Sequence, residues 1–182
     1  EPDRVSALKV GIRSLKSIMS TGTESIVYNR LFEPGSHWDQ WVRYPFYPGY
    51  AVIGRIDKLG TDVKEFKVGD LVAVRLGHAS YHVANVGDCL PVPWGMDVDS
   101  AVWFALAKIA FMGARAAGSM LGATVLIIGA GPIGQMMVRW AYAAGARSIV
   151  VVDSMEKRLA LARGGGATET IAQSIHEALP AI

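Results

Sequence analysis

The chain has 182 residues, 51% of them hydrophobic and 19% charged, with a mean hydropathy of +0.28, which excludes the low-hydrophobicity, high-charge composition of a disordered segment. Eighteen Lys+Arg against sixteen Asp+Glu leave a net charge of +2, too small and too dispersed for a nucleic-acid partner, and the longest apolar run, Ala101 to Ala107, is stopped by Lys108, far short of the ~20 residues a membrane span needs. Cys89 is the only cysteine and no basic-then-apolar leader opens the chain, which excludes an intrachain disulfide framework and a cysteine-cluster zinc or iron–sulfur site and points to the reducing cytoplasm.

The first hundred residues read as short strands between turn signals. Leu8, Val10 and Ile12 alternate with Lys9, Gly11 and Arg13, the period of a half-buried strand. Strand runs follow at 49–56, 70–75 and 81–86, separated by Pro45, Pro48, Gly60, Gly69, Gly77 and Gly87, which predicts an antiparallel barrel or sandwich over 1–97. Residues 29–47 carry Trp38, Trp41, Tyr44 and Tyr47 without a period and read as an aromatic loop, with the two tryptophans packing rather than lining a pocket.

From about Asp97 the pattern becomes βαβ. A helix is expected over 99–117, a buried strand at 124–128, a helix at 132–144, a second buried strand at 148–152 and a helix at 154–163. Ser154 is the expected N-cap, Gly164 to Gly166 the stop, and 168–171 a short third strand. Met136, Met137 and Trp140 are expected to pack the second of these helices on the sheet.

Gly129, Gly131 and Gly134 form Gly-Ala-Gly-Pro-Ile-Gly directly after an apolar strand and before a helix. The first glycine allows the tight turn, the second lets backbone approach a pyrophosphate, and the third lets helix and strand pack closely; Pro132 and Ile133 lie in the same loop, at the helix N-terminus that attracts phosphate. Asp153 follows Ile149-Val150-Val151-Val152, 19 residues after Gly134 (153 − 134), where its carboxylate is expected to accept from ribose hydroxyls. Residues 98–182 therefore read as the first half of a doubly wound dinucleotide domain. The 59 residues from Thr124 to Ile182 hold the pyrophosphate and adenosine half, and the chain, which starts without methionine, is expected to be a piece of a longer protein.

Pro48-Gly49-Tyr50-Ala51-Val52-Ile53-Gly54, Phe66-Lys67-Val68-Gly69-Asp70-Leu71-Val72, Pro91-Val92-Pro93, the glycine loop, and Asp153 through Arg158-Leu159-Ala160-Leu161-Ala162 together resemble the medium-chain dehydrogenase/reductase family. The resemblance implies a GroES-like barrel joined to a Rossmann domain and hydride transfer with a nicotinamide. It further implies a small-molecule substrate, a homo-oligomer, and a cofactor site that includes Arg158. Zinc members of the family carry Cys-x-Thr/Ser-Asp and Gly-His-Glu. Here Thr21 stands at the cysteine, Thr23 at the relay hydroxyl, Glu24 at the acid, Tyr50 at the histidine and Ala51 at the glutamate, so no zinc is expected. The segment Met19 to Glu24 with Tyr44-Pro45 and Pro48-Gly49-Tyr50 is similar to the zinc-less branch that contains bacteriochlorophyllide-type hydroxyethyl dehydrogenases. Without a metal the carbonyl oxygen needs donors, and Thr23, Tyr50 and Lys108 are the expected ones. His37, His78, His82 and His176 share no ligand spacing and read as surface or hydrogen-bonded side chains; Cys89, with no cation beside it, reads as inert. Asp153 favours NAD over NADP. A dehydrogenase, a quinone or enoyl-type reductase and a non-catalytic dinucleotide-binding relative remain open at this point.

Overall fold

The computed structural model describes residues 5–178, in two compact units, Glu1–Ala105 and Leu106–Ile182. In the first, the alternation at 8–13 extends into β1 (Lys9–Ser17). It pairs antiparallel with β2 (Val52–Leu59) and β4 (Tyr81–Asn85), while β2 pairs with β3 (Leu71–Val74) and β3 with β5 (Leu90–Pro91), giving a sheet of order β4-β1-β2-β3-β5. Val10, Ile12, Val52, Ile56, Val72 and Val74 form its core, and Ile53 and Ala73 pack on Ala101 and Val102 behind it. These are the inward positions of a period-2 pattern, and their burial is what selects the strand register.

The register of β1 on β2 slips between Ser14 and Lys16. An extra residue in one strand turns the side chains beyond it to the other face, so Ser17 stands across from Val52, on the face that Ile12 shares with Ile56.

The segment 29–47 is less irregular than expected. It holds α2 (His37–Trp41), whose N-cap Ser36 accepts from the Asp39 N–H at 3.3 Å. Trp38 meets Trp41 edge-on with ring centroids 5.7 Å apart, and Trp41 meets Phe46 at 5.1 Å, so the tryptophans pack on each other as anticipated. The motif at 21–24 opens α1 (Thr21–Tyr28). The single helix expected at 99–117 is broken into α3 (Val98–Ala101), capped by Asp97 accepting from Ser100 N–H, and α4 (Phe104–Ala117). The interruption falls where Val102 turns inward to the barrel core, and tertiary burial overrides the continuous helical pattern.

The second unit is a parallel sheet of order β6-β7-β8: β6 (Thr124–Ile128), α5 (Pro132–Ala143), β7 (Ser148–Val152), α6 (Glu156–Gly164), β8 (Glu169–Ile171), then α7 (Ile175–Ala178). β7 is central and its Ile149, Val151 and Val152 are buried, whereas Leu126 and Ile128 of the edge strand β6 are exposed. Met137 and Trp140 pack α5 onto this core as the pattern predicted, and the Trp140 indole N–H donates to the Ala107 carbonyl at 3.0 Å. Ser154 is not the cap of α6: the N-cap is Met155, which makes no side-chain cap bond and whose own N–H donates to Asp153 Oδ1 at 2.7 Å. Gly165 caps the C-terminus of α6 and Gly166 follows at φ +111°, the expected stop. No helix among the described residues is long and apolar enough to cross a membrane.

Candidate functional site

The glycine loop has the geometry its spacing requires. Gly129 turns the chain at φ +88°, a left-handed conformation that costs an L side chain about 1–2 kcal/mol, and its N–H donates to the Val152 carbonyl at 2.8 Å. Gly131 is the N-cap of α5, with Pro132 at N1, and a Cβ at Gly131 would meet nothing within 4 Å. At Gly134 a Cβ would overlap the Gly129 carbonyl oxygen and stand 3.0 Å from its carbon. The third glycine thus permits helix–strand contact, and the second leaves open space above the backbone. Gly129, Gly131, Pro132, Ile133 and Gly134, with Leu126 and Met137, line a cavity of about 490 Å³. The N–H groups of Ile133 and Gly134 lie in the first turn of α5, where the helix offers no partners. These residues fit a dinucleotide pyrophosphate.

Asp153 follows β7 and is only 8% exposed. Its Oδ2 accepts from the Ala130 N–H at 2.8 Å, Oδ1 accepts from Met155 N–H, and the exposed Arg158 guanidinium of α6 lies 3.6 Å away. Burial alone would raise the carboxyl; the two backbone donors and Arg158 outweigh it and hold Asp153 below the ordinary carboxylate value. The acid therefore ties the glycine loop to the end of β7, a role its spacing did not announce, and it keeps lone pairs for further donors. Gln135 adds a second tie, its side-chain amide donating to the carbonyls of Ala130 and Arg158, each at 2.9 Å.

In the first unit, Thr23 lies in α1 and is partly buried, as is Tyr50, which has the Arg75 guanidinium 5.9 Å from its ring centre. Lys108 belongs to the second unit, in α4, and is exposed. The strongest polar construction of the barrel unit involves residues the spacing passed over. Glu24, whose side chain is 14% exposed, accepts from His78 Nε2 at 3.2 Å on Oε2 and 3.3 Å on Oε1, and from the Ser20 N–H at 2.8 Å on Oε1. His78 Nδ1 in turn lies 2.8 Å from Ser17 Oγ. Because an ionised carboxylate only accepts, Nε2 carries a proton, and in the neutral ring Nδ1 accepts from the serine hydroxyl.

Gly49 makes room for this imidazole. At φ +97° a Cβ there would stand 2.7 Å from His78 N and 2.9 Å from two ring carbons, and the His78 N–H donates to the Pro48 carbonyl at 2.8 Å. Glu24 and His78 are 54 positions apart, so no local motif pairs them; the glycines at 49 and 77 were the one hint of a close crossing. Glu24 also faces a cavity of about 370 Å³ whose other walls include Met19, Thr21, Tyr28, Tyr44 and Phe46. The remaining histidines stay outside this group. His82 is half-buried in β4, and its Nε2 has no partner among the described residues; burial lowers its pKa against a hydrogen bond with the Gly77 backbone.

Thr21 and Tyr50 offer hydroxyl and phenol oxygens where zinc prefers thiolate and imidazole, and no group of three or more His, Cys, Asp or Glu suited to a metal ion occurs among the described residues. The donors present do not fit it.

An antiparallel barrel-type sheet followed by a βαβαβ unit with a glycine-rich strand–helix turn defines a two-part, barrel-plus-Rossmann architecture. Residues 16–125 match the alcohol dehydrogenase GroES-like domain family, and the chain belongs to that family and to the medium-chain dehydrogenase/reductases. It is 30% identical to the L-threonine 3-dehydrogenase of Bacillus subtilis (strain 168), over 86% of this chain and 52% of the relative. The fold is shared with galactitol-1-phosphate dehydrogenase from Escherichia coli (TM-score 0.73, 23% identity, 100% of this chain and 59% of the other). It is shared also with Escherichia coli quinone oxidoreductase complexed with NADPH (TM-score 0.73, 20% identity, 94% and 52%). The chain spans about half the length of the curated relatives it matches.

Proposed function

We propose that the protein is a nicotinamide-dependent oxidoreductase that moves hydride between the cofactor and a small, uncharged alcohol or carbonyl substrate without catalytic zinc. The observation that carries this reading is the glycine loop, where a tight turn at Gly129, an open face at Gly131, a close approach at Gly134 and a buried Asp153 occur together. Gly129, Gly131, Pro132, Ile133 and Gly134 would hold the pyrophosphate, with Asp153 and Arg158 at the adenosine ribose; the bound nicotinamide supplies the redox chemistry. Thr23, Tyr50 and Lys108 are the donors proposed to meet charge developing on the substrate oxygen. Thr21 and Tyr50 at two of the family's zinc-ligand positions support reading it as a zinc-less member.

One named relative is an L-threonine 3-dehydrogenase; the cavity beside Thr21 and Glu24 has an acid as its charged wall and otherwise mostly apolar ones, which favours a neutral substrate over an anionic one. The test is titration of the full-length protein with NADH, followed by a panel of secondary alcohols, ketones, quinones and L-threonine. Turnover of a neutral alcohol or ketone by protein free of stoichiometric zinc in elemental analysis is expected. Binding without turnover of any member, or dependence of turnover on one tightly held zinc, would overturn the reading.

NAD(H) is proposed over NADP(H). A 2′-phosphate beside the Asp153 carboxylate brings like charges together, about 4 kcal/mol at ~4 Å and an effective dielectric of ~20 as an upper guide, and Arg158, already 3.6 Å from that carboxylate, offsets part of it. Dissociation constants of both cofactors for wild type and Asp153→Ala check this; an unchanged ratio in the variant counts against it. A homo-oligomer in the cytoplasm is proposed as well, and sedimentation of the full-length protein as a single-chain species would refute the assembly.

A further inference from the structure

We infer that Glu24 is the general base of the reaction and that His78, locked by Ser17, is its positioning residue. The inference rests on the hydride-transfer reading above. When an alcohol is oxidised, its C–H bond gives a hydride to the nicotinamide and its O–H bond gives up a proton, and in a site without a Lewis acid that proton needs a side-chain acceptor as the C=O bond forms. Glu24 is the carboxylate on the wall of the cavity of about 370 Å³ beside Thr21, a volume within the range of small-molecule sites. It accepts from the Ser20 N–H and from His78 Nε2, and two oxygens with four lone-pair sites leave capacity for a substrate hydroxyl. In the reductive direction the same carboxyl returns the proton to the carbonyl oxygen as the hydride arrives.

The ring behind Glu24 is built to stay in one tautomer. The Glu24 carboxylate only accepts, so it draws the proton to Nε2, and Ser17 Oγ, 2.8 Å from Nδ1, completes that tautomer by donating to the other ring nitrogen. The β1 register slip places Ser17, and Gly49 clears the plane in which the ring lies. A base oriented by a second group that is itself oriented by a third is a recurring catalytic construction. The Ser20 contact alone, from the N-cap N–H to a side chain one position beyond the capping-box acid, would be a local tie at the start of α1; the His78–Ser17 chain and the cavity are what such a tie does not require.

The experiment uses full-length wild type, Glu24→Gln, Glu24→Ala, His78→Gln and Ser17→Ala, with steady-state kinetics on a substrate from the panel, NADH titration and circular dichroism. Glu24→Gln is expected to lower kcat by 10²- to 10⁴-fold with an unchanged NADH dissociation constant. Added formate or acetate should partly restore Glu24→Ala, a rescue that loss of a helix cap would not show. His78→Gln and Ser17→Ala should lose on the order of tenfold in kcat with KM and the NADH dissociation constant unchanged, because the carboxylate is misdirected while the cavity is kept. Full activity in Glu24→Gln, or a loss in folded Glu24→Ala that no small carboxylate relieves, overturns the assignment while the hydride-transfer reading stands. Failure of wild type to turn over any alcohol, ketone or quinone with either nicotinamide removes both.

Discussion

Replacing Gly134 by alanine adds one methyl group at a place where no side chain can step aside. A Cβ there overlaps the carbonyl oxygen of Gly129 and lies 3.0 Å from its carbon, and both partners are backbone at the joint between β6 and α5. Helix propensity favours the alanine by at most about 1 kcal/mol, while overpacking against atoms that cannot rotate costs about 1–3 kcal/mol or more. The expected net loss is about 1–2 kcal/mol, and at ~2–4 °C per kcal/mol for a chain of this size thermal melting should show a fall of roughly 2–8 °C. Gly131→Ala is the control. Its backbone is extended, at φ −70° and ψ −173°, and nothing stands within 4 Å of the added atom, so only the exchange of a glycine N-cap for alanine, up to about 1 kcal/mol, should be lost. Binding should still weaken, by about tenfold or more, because the methyl occupies the space through which backbone approaches a pyrophosphate. Melting curves and NADH titrations of both variants separate a packing glycine from a binding one. Gly134→Ala melting with wild type, or Gly131→Ala binding NADH as tightly as wild type, would refute the reasoning.

Asp153 has its carboxyl depressed in the folded protein, so its stabilisation is present above the unfolded value of about 3.9 and is lost as pH falls through the lower folded value. Asp153→Asn should therefore melt below wild type at pH 7, by about 1–3 kcal/mol for charge-assisted hydrogen bonds, and the gap should close toward pH 3; a gap independent of pH would contradict this. Cys89 is buried and its thiol is pushed up to about 11, first by burial and then by the Asp88 charge, so a thiol reagent at pH 8 should label it only after denaturant is added, and rapid labelling of native protein would count against it. Gly49→Ala should disturb the imidazole packed against it, destabilising the protein by about 1–3 kcal/mol through both the clash and the φ of +97°; an unchanged melting temperature and an unchanged His78 NMR shift would refute that.

The succession of elements in the second unit, the glycine turn after β6 and the acid that follows β7 were legible in the sequence because each depends on a local pattern. Alternation at 8–13 marks β1, a run of β-branched residues marks β7, and three glycines at fixed spacing mark a turn, an approach and a contact that only glycine satisfies. Where a local pattern competed with burial, it lost. Helix-forming residues run through 99–117, yet Val102 turns into the barrel core and divides α3 from α4; Ser154 had the chemistry of an N-cap, but α6 begins one residue later, with Met155 at the cap and its N–H held by Asp153. Glu24 stood out at the acid position, but its pairing with His78 and Ser17 left no signal beyond the glycines at 49 and 77. The three residues come from a bulged strand, a turn and a helix, and a hydrogen bond across 54 positions leaves no periodicity to read. Patterns of neighbours are set by residues a few positions apart, whereas the partner of a buried polar group is set by which turns the fold brings together, and that was decided by the tertiary structure alone.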